Sequence, residues 1–399
     1  MKRWPKIIIV ICAAAALFLS VDTCFCLDPI ESKKEFYDKG MKCAMAGNFF
    51  DAWGHFQKAL SLDELCREAK LDLLILDDVL HDKIHKDEVI FRFKGVNYTN
   101  IMLFDEAIAE FNQAIAIKSN YADIYNCRGI AYNGKGLYDL AIHDFDEAIE
   151  LNPKIADFYY NRAFAHSLKS NYVDAVTNLN KAIELDTHYN EAHIKRADLL
   201  SKMGQYKLAI SDYTMALEEM LKVYGEDDPD LYIIYYNRGK DYKLIGKYDD
   251  AISDMAKTLE ISPKYVDAYI VRAITYSLKK LDNFAEADFL KAMEIDGNRA
   301  EIFYHRGNHY SNKGEYMKAK LDYENAISKK ADYTEAYFKN ALNCEAANYP
   351  EHIQDAIKSY KSFIVLAPDR YRPYVEYARE RIRQLTKFEN SRTYASPAH

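Results

Sequence analysis

Six arginines recur along the chain at a spacing of 34 residues, with one step of 42. They are Arg128, Arg162, Arg196, Arg238, Arg272 and Arg306. A row of guanidinium groups on one face would attract a polyanion. Every one of these arginines except Arg162, however, is followed sixteen residues later by an acid. The acids are Asp144, Asp212, Asp254, Asp288 and Asp322. Because partly buried charges are normally paired, we predict structural ion pairs between antiparallel helices in preference to a polyanion site.

The segment HDKIH, from His81 to His85, has the spacing of the HExxH zinc motif with Asp in place of Glu. No third ligand is evident, so we favour a solvated helix end and keep a metal-dependent enzyme using these histidines as an alternative. The sequence holds no phosphate-binding loop, dinucleotide glycine pattern or nucleophile elbow. We therefore predict a non-catalytic protein with no cofactor.

The arginines belong to a repeated block. Residues 122–155 read ADIYNCRGIAYNGKGLYDLAIHDFDEAIELNPKI, and residues 156–189 read ADFYYNRAFAHSLKSNYVDAVTNLNKAIELDTHY. The same register gives blocks that begin at Lys33, Glu88, Ala122, Ala156, Asn190, Tyr232, Val266, Ala300 and Thr334. Position eight of each block is Gly or Ala, and position twenty is Ala, with a three-residue insertion in the last block. A period of this length is typical of repeat architectures, and small residues let two helices approach closely.

On these positions the chain resembles tetratricopeptide-repeat (TPR) proteins over residues 33–383. The resemblance implies an all-α fold, a right-handed α-solenoid of about nine helix-turn-helix units. The segment YRPYVEYARERIRQL after Pro368 is typical of a capping helix, which a stack of repeats needs at its end.

Interruptions in the repeat pattern divide the chain further. In chain order we predict a signal peptide (1–26), a linker (27–32), one block (33–66), an inserted helical segment (67–87), four blocks (88–223), an insertion loop (224–231), four blocks (232–370), a capping helix (371–388) and a disordered tail (389–399).

The N-terminus has the layout of a bacterial-type secretory signal. Lys2, Arg3 and Lys6 precede an apolar run from Ile7 to Leu19, which is too short to span a membrane. We predict export to the periplasm, the cell envelope or the medium, with lipid anchoring at Cys24 as an alternative. The four cysteines after the signal are too few for a disulfide framework.

The choice of partner follows from charge and from the resemblance. A net charge of −8 disfavours nucleic acid, because that binding neutralises phosphates with Lys and Arg. In the family, positions two, five, nine, twelve and thirteen of each first helix face a concave groove. The groove residues are Asn126, Tyr160, Phe164, Asp198, Lys202, Tyr236, Lys240, Lys243, Ile270, Tyr304, Asn308 and Phe338. Aromatic anchors beside polar groups suit a protein or peptide.

The function predicted from these features is a protein-interaction scaffold that binds its partner in the groove. An alternative is an envelope assembly or maturation factor, lipid-anchored or not, that uses the basic capping helix. Membrane contact is expected only through the anchor at Cys24, and the sequence assigns no oligomeric state.

Overall fold

The computed structural model describes residues 32–62, 66–81, 83–117, 120–226, 228–347 and 352–395. The predicted signal peptide with Cys24, the predicted linker apart from Ser32, and the last four residues of the predicted tail lie outside these ranges. Within them the chain forms twenty α-helices and no strand. The helices fall into two compact units that divide between Asp228 and Pro229, inside the predicted insertion loop.

Unit one is a stack of helical hairpins. Its helices are α1 (Lys33–Met45), α2 (Phe49–Leu62), α3 (Arg67–Leu80), α4 (Lys86–Asn100), α5 (Phe104–Ile117), α6 (Ala122–Gly134), α7 (Tyr138–Leu151), α8 (Ala156–Leu168), α9 (Tyr172–Leu185), α10 (Asn190–Lys202) and α11 (Tyr206–Tyr224). Each block supplies two consecutive helices that pack on one another, and α3 is the inserted helix between the first two blocks.

Unit two continues the same pattern. Its helices are α12 (Leu231–Leu244), α13 (Tyr248–Ile261), α14 (Val266–Leu278), α15 (Asp282–Ile295), α16 (Ala300–Asn312), α17 (Tyr316–Lys329), α18 (Thr334–Ala346), α19 (Ile353–Leu366) and α20 (Arg372–Ala395). A 3-10 turn, Asp369–Tyr371, precedes α20. Both units are thus α-solenoid stacks of helix pairs.

Close contact between the two helices of a hairpin explains the small residues. A Cβ added at Gly129 would lie 2.7 Å from Cε1 of Phe145, and one at Gly239 would lie 2.4 Å from Cε of Met255. Phe145 and Met255 are fully buried, as are Ala141 and its counterparts at position twenty. The large side chain at position twenty-four therefore fills the space that position eight leaves free.

The C-terminal helix differs from the prediction. We expected disorder from residue 389, but α20 runs on to Ala395. No proline or glycine interrupts the sequence before Pro397, and Gln354 of α19 donates a hydrogen bond to Glu389. This contact and the unbroken helical sequence account for the longer helix.

Candidate functional site

The arginines at position seven are engaged inside their hairpins. In five of them Nε lies 2.7–2.8 Å from one carboxylate oxygen of the aspartate sixteen residues later, and Nη2 lies 2.6–2.8 Å from the other. The pairs are Arg128–Asp144, Arg196–Asp212, Arg238–Asp254, Arg272–Asp288 and Arg306–Asp322. Each aspartate is buried. Bidentate geometry of this kind joins the first helix of a hairpin to the second.

Further contacts hold these guanidinium groups in place. Arg162 bonds Asn178 at 2.7 Å and pairs with Asp146. Arg128 also donates to Asn112 of the preceding block at 2.7 Å. Burial acts to raise the pKa of Asp212, but hydrogen bonds from Arg196 and His193 outweigh it and lower that pKa. The arginine row therefore forms part of the scaffold.

The first helices line one side of each unit. Neighbouring first helices contact one another, as α4 and α6, α6 and α8, and α14 and α16 do. We call this first-helix side the inner face of each unit. It carries the twelve residues that the resemblance places in a groove.

Three of those twelve residues are too buried to contact a ligand, which corrects the prediction. Asn126, Tyr160 and Ile270 expose only 5–7% of their surface. Asn126 accepts a hydrogen bond from Asn161 at 2.9 Å, and the Tyr160 ring lies 5.0 Å from that of Tyr189. Position five packs on the residue before the next first helix, so it serves as a joint between blocks.

In unit two, position five again packs on the residue before the next first helix, but its side chain is more exposed. Ring centres lie 5.0 Å apart for Tyr236 and Tyr265, and for Tyr304 and Tyr333. Tyr236 and Tyr304 nevertheless stay partly exposed. The exposed edges of their rings can contact a partner, although their main contacts are within the chain.

Phe338 is covered by the capping helix. Its ring lies 5.5 Å from that of Tyr374 and 6.0 Å from that of Tyr377, both on α20. Tyr371, just before α20, donates a hydrogen bond to Glu335 of the same block. The helix α20 stands where the next first helix would, so the main contacts of the partly exposed Phe338 are with the cap, and its role in ligand binding stays a prediction.

The remaining groove residues keep accessible surface. In unit one they are Phe164, Asp198 and Lys202, and in unit two Tyr236, Lys240, Lys243, Tyr304 and Asn308. Two of them also have internal partners, because Asp198 accepts a hydrogen bond from Tyr213 at 2.5 Å and Asn308 accepts one from Tyr323 at 2.8 Å.

Two residues at position six were missed by the sequence reasoning. The Nζ atom of Lys195 lies 4.6 Å from the ring centre of Phe164, and burial lowers its pKa. Burial, aided by the charge of Lys243, lowers the pKa of His305 from 6.5 to about 4 against the opposing effect of Glu301. A titratable side chain recurring at position six is the signal that would have found both.

The inserted helix packs mainly on α2 and reaches inner-face residues of unit one through Asp72. Asp72 of α3 lies 2.5 Å from Nη1 of Arg92, whose Nε lies 2.8 Å from Asp123. The Tyr37 hydroxyl donates to Asp72 at 2.7 Å. Tyr37 and Arg92 hold position five and Asp123 position two, all inner-face positions. Burial raises the pKa of Asp72, and Arg92 opposes that shift.

The HDKIH segment does not form the helical zinc motif. His81 follows the end of α3 and its Nδ1 lies 2.8 Å from the Asp77 carbonyl oxygen. His85 caps α4 and accepts a hydrogen bond from the Asp87 amide at 3.3 Å. The HExxH motif needs both histidines on one helix, whereas these belong to the connection between two. The described residues contain no cluster of three or more His, Cys, Asp or Glu arranged to hold a metal.

None of the described helices is long and apolar enough to cross a lipid bilayer.

Models of the tetratricopeptide repeat match the chain over residues 104–136, 122–155, 145–177 and 188–264. These segments lie between α5 and α13 and include three of the five arginine and aspartate pairs. Over these ranges the sequence matches the tetratricopeptide repeat, in agreement with the helix pairs of the fold.

Several known proteins are similar to this chain. The C-terminal part of a TPR repeat-containing protein from Cytophaga hutchinsonii is 21% identical with a TM-score of 0.50, covering 62% of this chain and 98% of that one. YrrB, a TPR protein with an unusual peptide-binding site, is 22% identical with a TM-score of 0.44, covering 49% of this chain and 97% of that one. These similarities concern the fold.

A curated relative, the UDP-N-acetylglucosamine–peptide N-acetylglucosaminyltransferase of Giardia intestinalis, is 25% identical over 153 residues. The match covers 38% of this chain and 10% of the relative, so the chain spans about a tenth of that enzyme's length.

Proposed function

We propose that this protein is a non-catalytic scaffold that binds a protein or peptide partner on the inner face of unit two. The observation that carries the proposal is the difference between two sets of charges. The position-seven arginines are paired inside the hairpins, whereas Lys240 and Lys243 are partly exposed, with Lys240 5.1 Å from the ring centre of Tyr236. Stacked repeats offer extended surfaces of this kind, and partly exposed aromatic groups are typical binding anchors.

Site-specific photocrosslinking in the native cell tests this proposal. A crosslinking amino acid replaces Lys240 on α12 in one protein and Lys257 on α13 in a matched control. Both residues belong to the same hairpin, but Lys257 is exposed on the second helix. We expect a discrete protein adduct from position 240 only. Identical adducts from both positions, or adducts from position 257 alone, would contradict binding on the inner face.

Export remains part of the proposal because it explains the basic and apolar N-terminal segment. The mass of the mature protein from cell fractions tests it, since removal of residues 1–26 and lipid addition at Cys24 give different masses. Recovery of the uncleaved chain in the cytoplasm would contradict export.

A second candidate contact is the capping helix. Tyr374, Tyr377 and Phe388 expose 45–53% of their surface on α20. Several of its arginines are engaged, because Arg381 pairs with Glu345 and Arg379 pairs with Glu376. The exposed aromatic groups, more than the basic charge, support α20 as the surface of an assembly or maturation factor.

A further inference from the structure

Two lysines on the inner face of unit two lack an acidic partner. Four described lysines of this unit are partly buried, namely Lys240, Lys243, Lys279 and Lys320. Lys279 pairs with Asp249, and Lys320 with Asp355 at 2.5 Å. Lys243 forms no ion pair or hydrogen bond with the described part of the chain, and Lys240 contacts only the Tyr236 ring, 5.1 Å from its centre. A partly buried ammonium group without a counter-ion is unfavourable.

The surroundings of Lys243 add positive potential. Burial lowers the pKa of Lys243, and the charge of Lys240 lowers it further, with no acid acting in the opposite direction. The charge of Lys243 contributes to lowering the pKa of His305 on α16, whose ring centre lies 5.1 Å from that of Tyr304. Asp267 is an inner-face acid that lies between Lys243 and His305 in the sequence. Its Oδ1 atom lies 2.6 Å from Nη2 of Arg299, so it is already paired. Glu301, the acid that acts on His305, lies 3.7 Å from Nε of the same Arg299. The missing counter-charge is therefore that of the two lysines.

We propose that Lys240, Lys243 and His305 bind carboxylate side chains of an acidic segment in the partner protein. This inference rests on the proposed function and names the chemistry of its partner. The two ammonium groups supply charge-assisted hydrogen bonds, and the neutral imidazole supplies one more donor. Tyr236 and Tyr304 beside them suit the aliphatic parts of a peptide, and the net charge of −8 disfavours a nucleic acid as the anion.

Fluorescence anisotropy with defined peptides tests the assignment. The probes are a fluorescein-labelled peptide of six glutamates and its six-glutamine counterpart. We expect the full-length protein to bind the glutamate peptide about tenfold more tightly or better, with the preference weakening as salt is added. Equal affinity for the two peptides would overturn the assignment, and so would tighter binding of a single-stranded DNA of matched charge.

A pair of matched variants locates the effect. The K240Q/K243Q variant should lose the preference for glutamate. The K257Q/K291Q control removes two exposed lysines of α13 and α15, each paired with a glutamate three residues on, and should keep it. A preference that survives in K240Q/K243Q, or disappears in the control, would overturn the assignment.

A stability measurement separates a ligand site from a structural role. Because Lys243 has no partner to lose, K243Q should raise the melting temperature of the unliganded protein while weakening peptide binding. A lower melting temperature would assign Lys243 to structure and overturn the inference.

Failure of this inference is distinguishable from failure of the scaffold proposal. Peptides selected from a display library on the wild-type protein are crosslinked through position 240. If the selected peptides crosslink at position 240 but are not enriched in Asp or Glu, the acidic-segment inference is wrong and the scaffold proposal is supported. If no selected peptide crosslinks there, both fall.

Discussion

At the scale of single residues, Arg128 shows how a charge that looks available in the sequence is used inside the fold. Its guanidinium group bridges two helices of one hairpin and reaches back to Asn112 of the preceding block. The sixteen-residue offset predicts the partner, because it is the distance between facing positions of an antiparallel pair. The hydrogen bond to Asn112 depends on how neighbouring blocks stack. The spacing of residues within one block does not specify that stacking.

The loss of folding free energy on removing such an arginine depends on whether its former partner is charged. R128A should lower the free energy of unfolding by about 3 kcal/mol, because Asp144 is then a buried charge without a partner. R162A is the matched control in the same unit and should cost only about 1 kcal/mol, because its position-twenty-three partner is the neutral Asn178. Urea denaturation measures both, and equal losses would contradict the ion-pair argument.

His305 should make stability depend on pH. Its pKa is about 4 in the folded protein against a usual 6.5, so the unfolded chain binds the extra proton between these values. Stability contributed by the neutral imidazole is therefore complete above pH 6.5 and falls as the pH decreases toward 4. We expect H305Q to show a smaller loss of urea midpoint between pH 7.5 and 5 than the wild type, with Lys243 and Glu301 unchanged beside it. An identical loss in both proteins would contradict this assignment.

At the scale of helices and turns, the hairpins show which features the sequence determines. The period and the small residues at positions eight and twenty predict the hairpins, since both express close contact between helices. The repeat pattern does not predict the burial of Tyr160, because position five faces the neighbouring block as well as the inner face. The placement of α3 also escaped prediction, because an amphipathic pattern does not specify which surface a helix will cover.

The turn inside each hairpin offers a matched test of backbone strain. Gly136 and Gly204 adopt φ of 77° there, whereas Ser170 has φ of 63° at the equivalent place. S170G should stabilise the protein by up to about 1 kcal/mol, because a side chain makes the left-handed conformation unfavourable. G204S is the reverse change, and no atom lies within 4 Å of the added Cβ, so it should destabilise by a similar amount. Thermal unfolding of both variants checks the pair, and changes of the same sign would refute the explanation.

At the scale of the whole molecule, the inserted helix and the cap give the two ends of the repeat array different surroundings. In unit one, Asp72 of α3 bonds the inner-face residues Tyr37 and Arg92, and Arg92 in turn bonds Asp123. In unit two, α20 covers Phe338. The exposed inner-face positions of unit two, on α12 and α16, precede this capped block in the sequence, and we propose that the partner binds there.

The buried network of α3 can be tested by hydrogen exchange. D72N weakens one charge-assisted hydrogen bond to Arg92, which keeps Asp123 as its counter-ion, so it should cost about 1.5 kcal/mol and reduce the protection of amides in α3 and α4. D78N on the same helix disrupts only the more exposed pair with Lys83, so its effect should stay below about 0.5 kcal/mol. Unchanged protection of α3 in D72N would show that apolar packing alone holds the helix.

The position of these partners in the sequence has a consequence for biosynthesis. Asp72, Arg92 and Asp123 are translated in that order, and they lie 20 and then 31 positions apart. While the chain grows from the ribosome, α3 can pair with Arg92 only after α4 has emerged, and Arg92 gains its second acid only when α6 follows. The N-terminal blocks of a nascent chain therefore stay incomplete until the third block is made, and during that interval their apolar surfaces are open to chaperones.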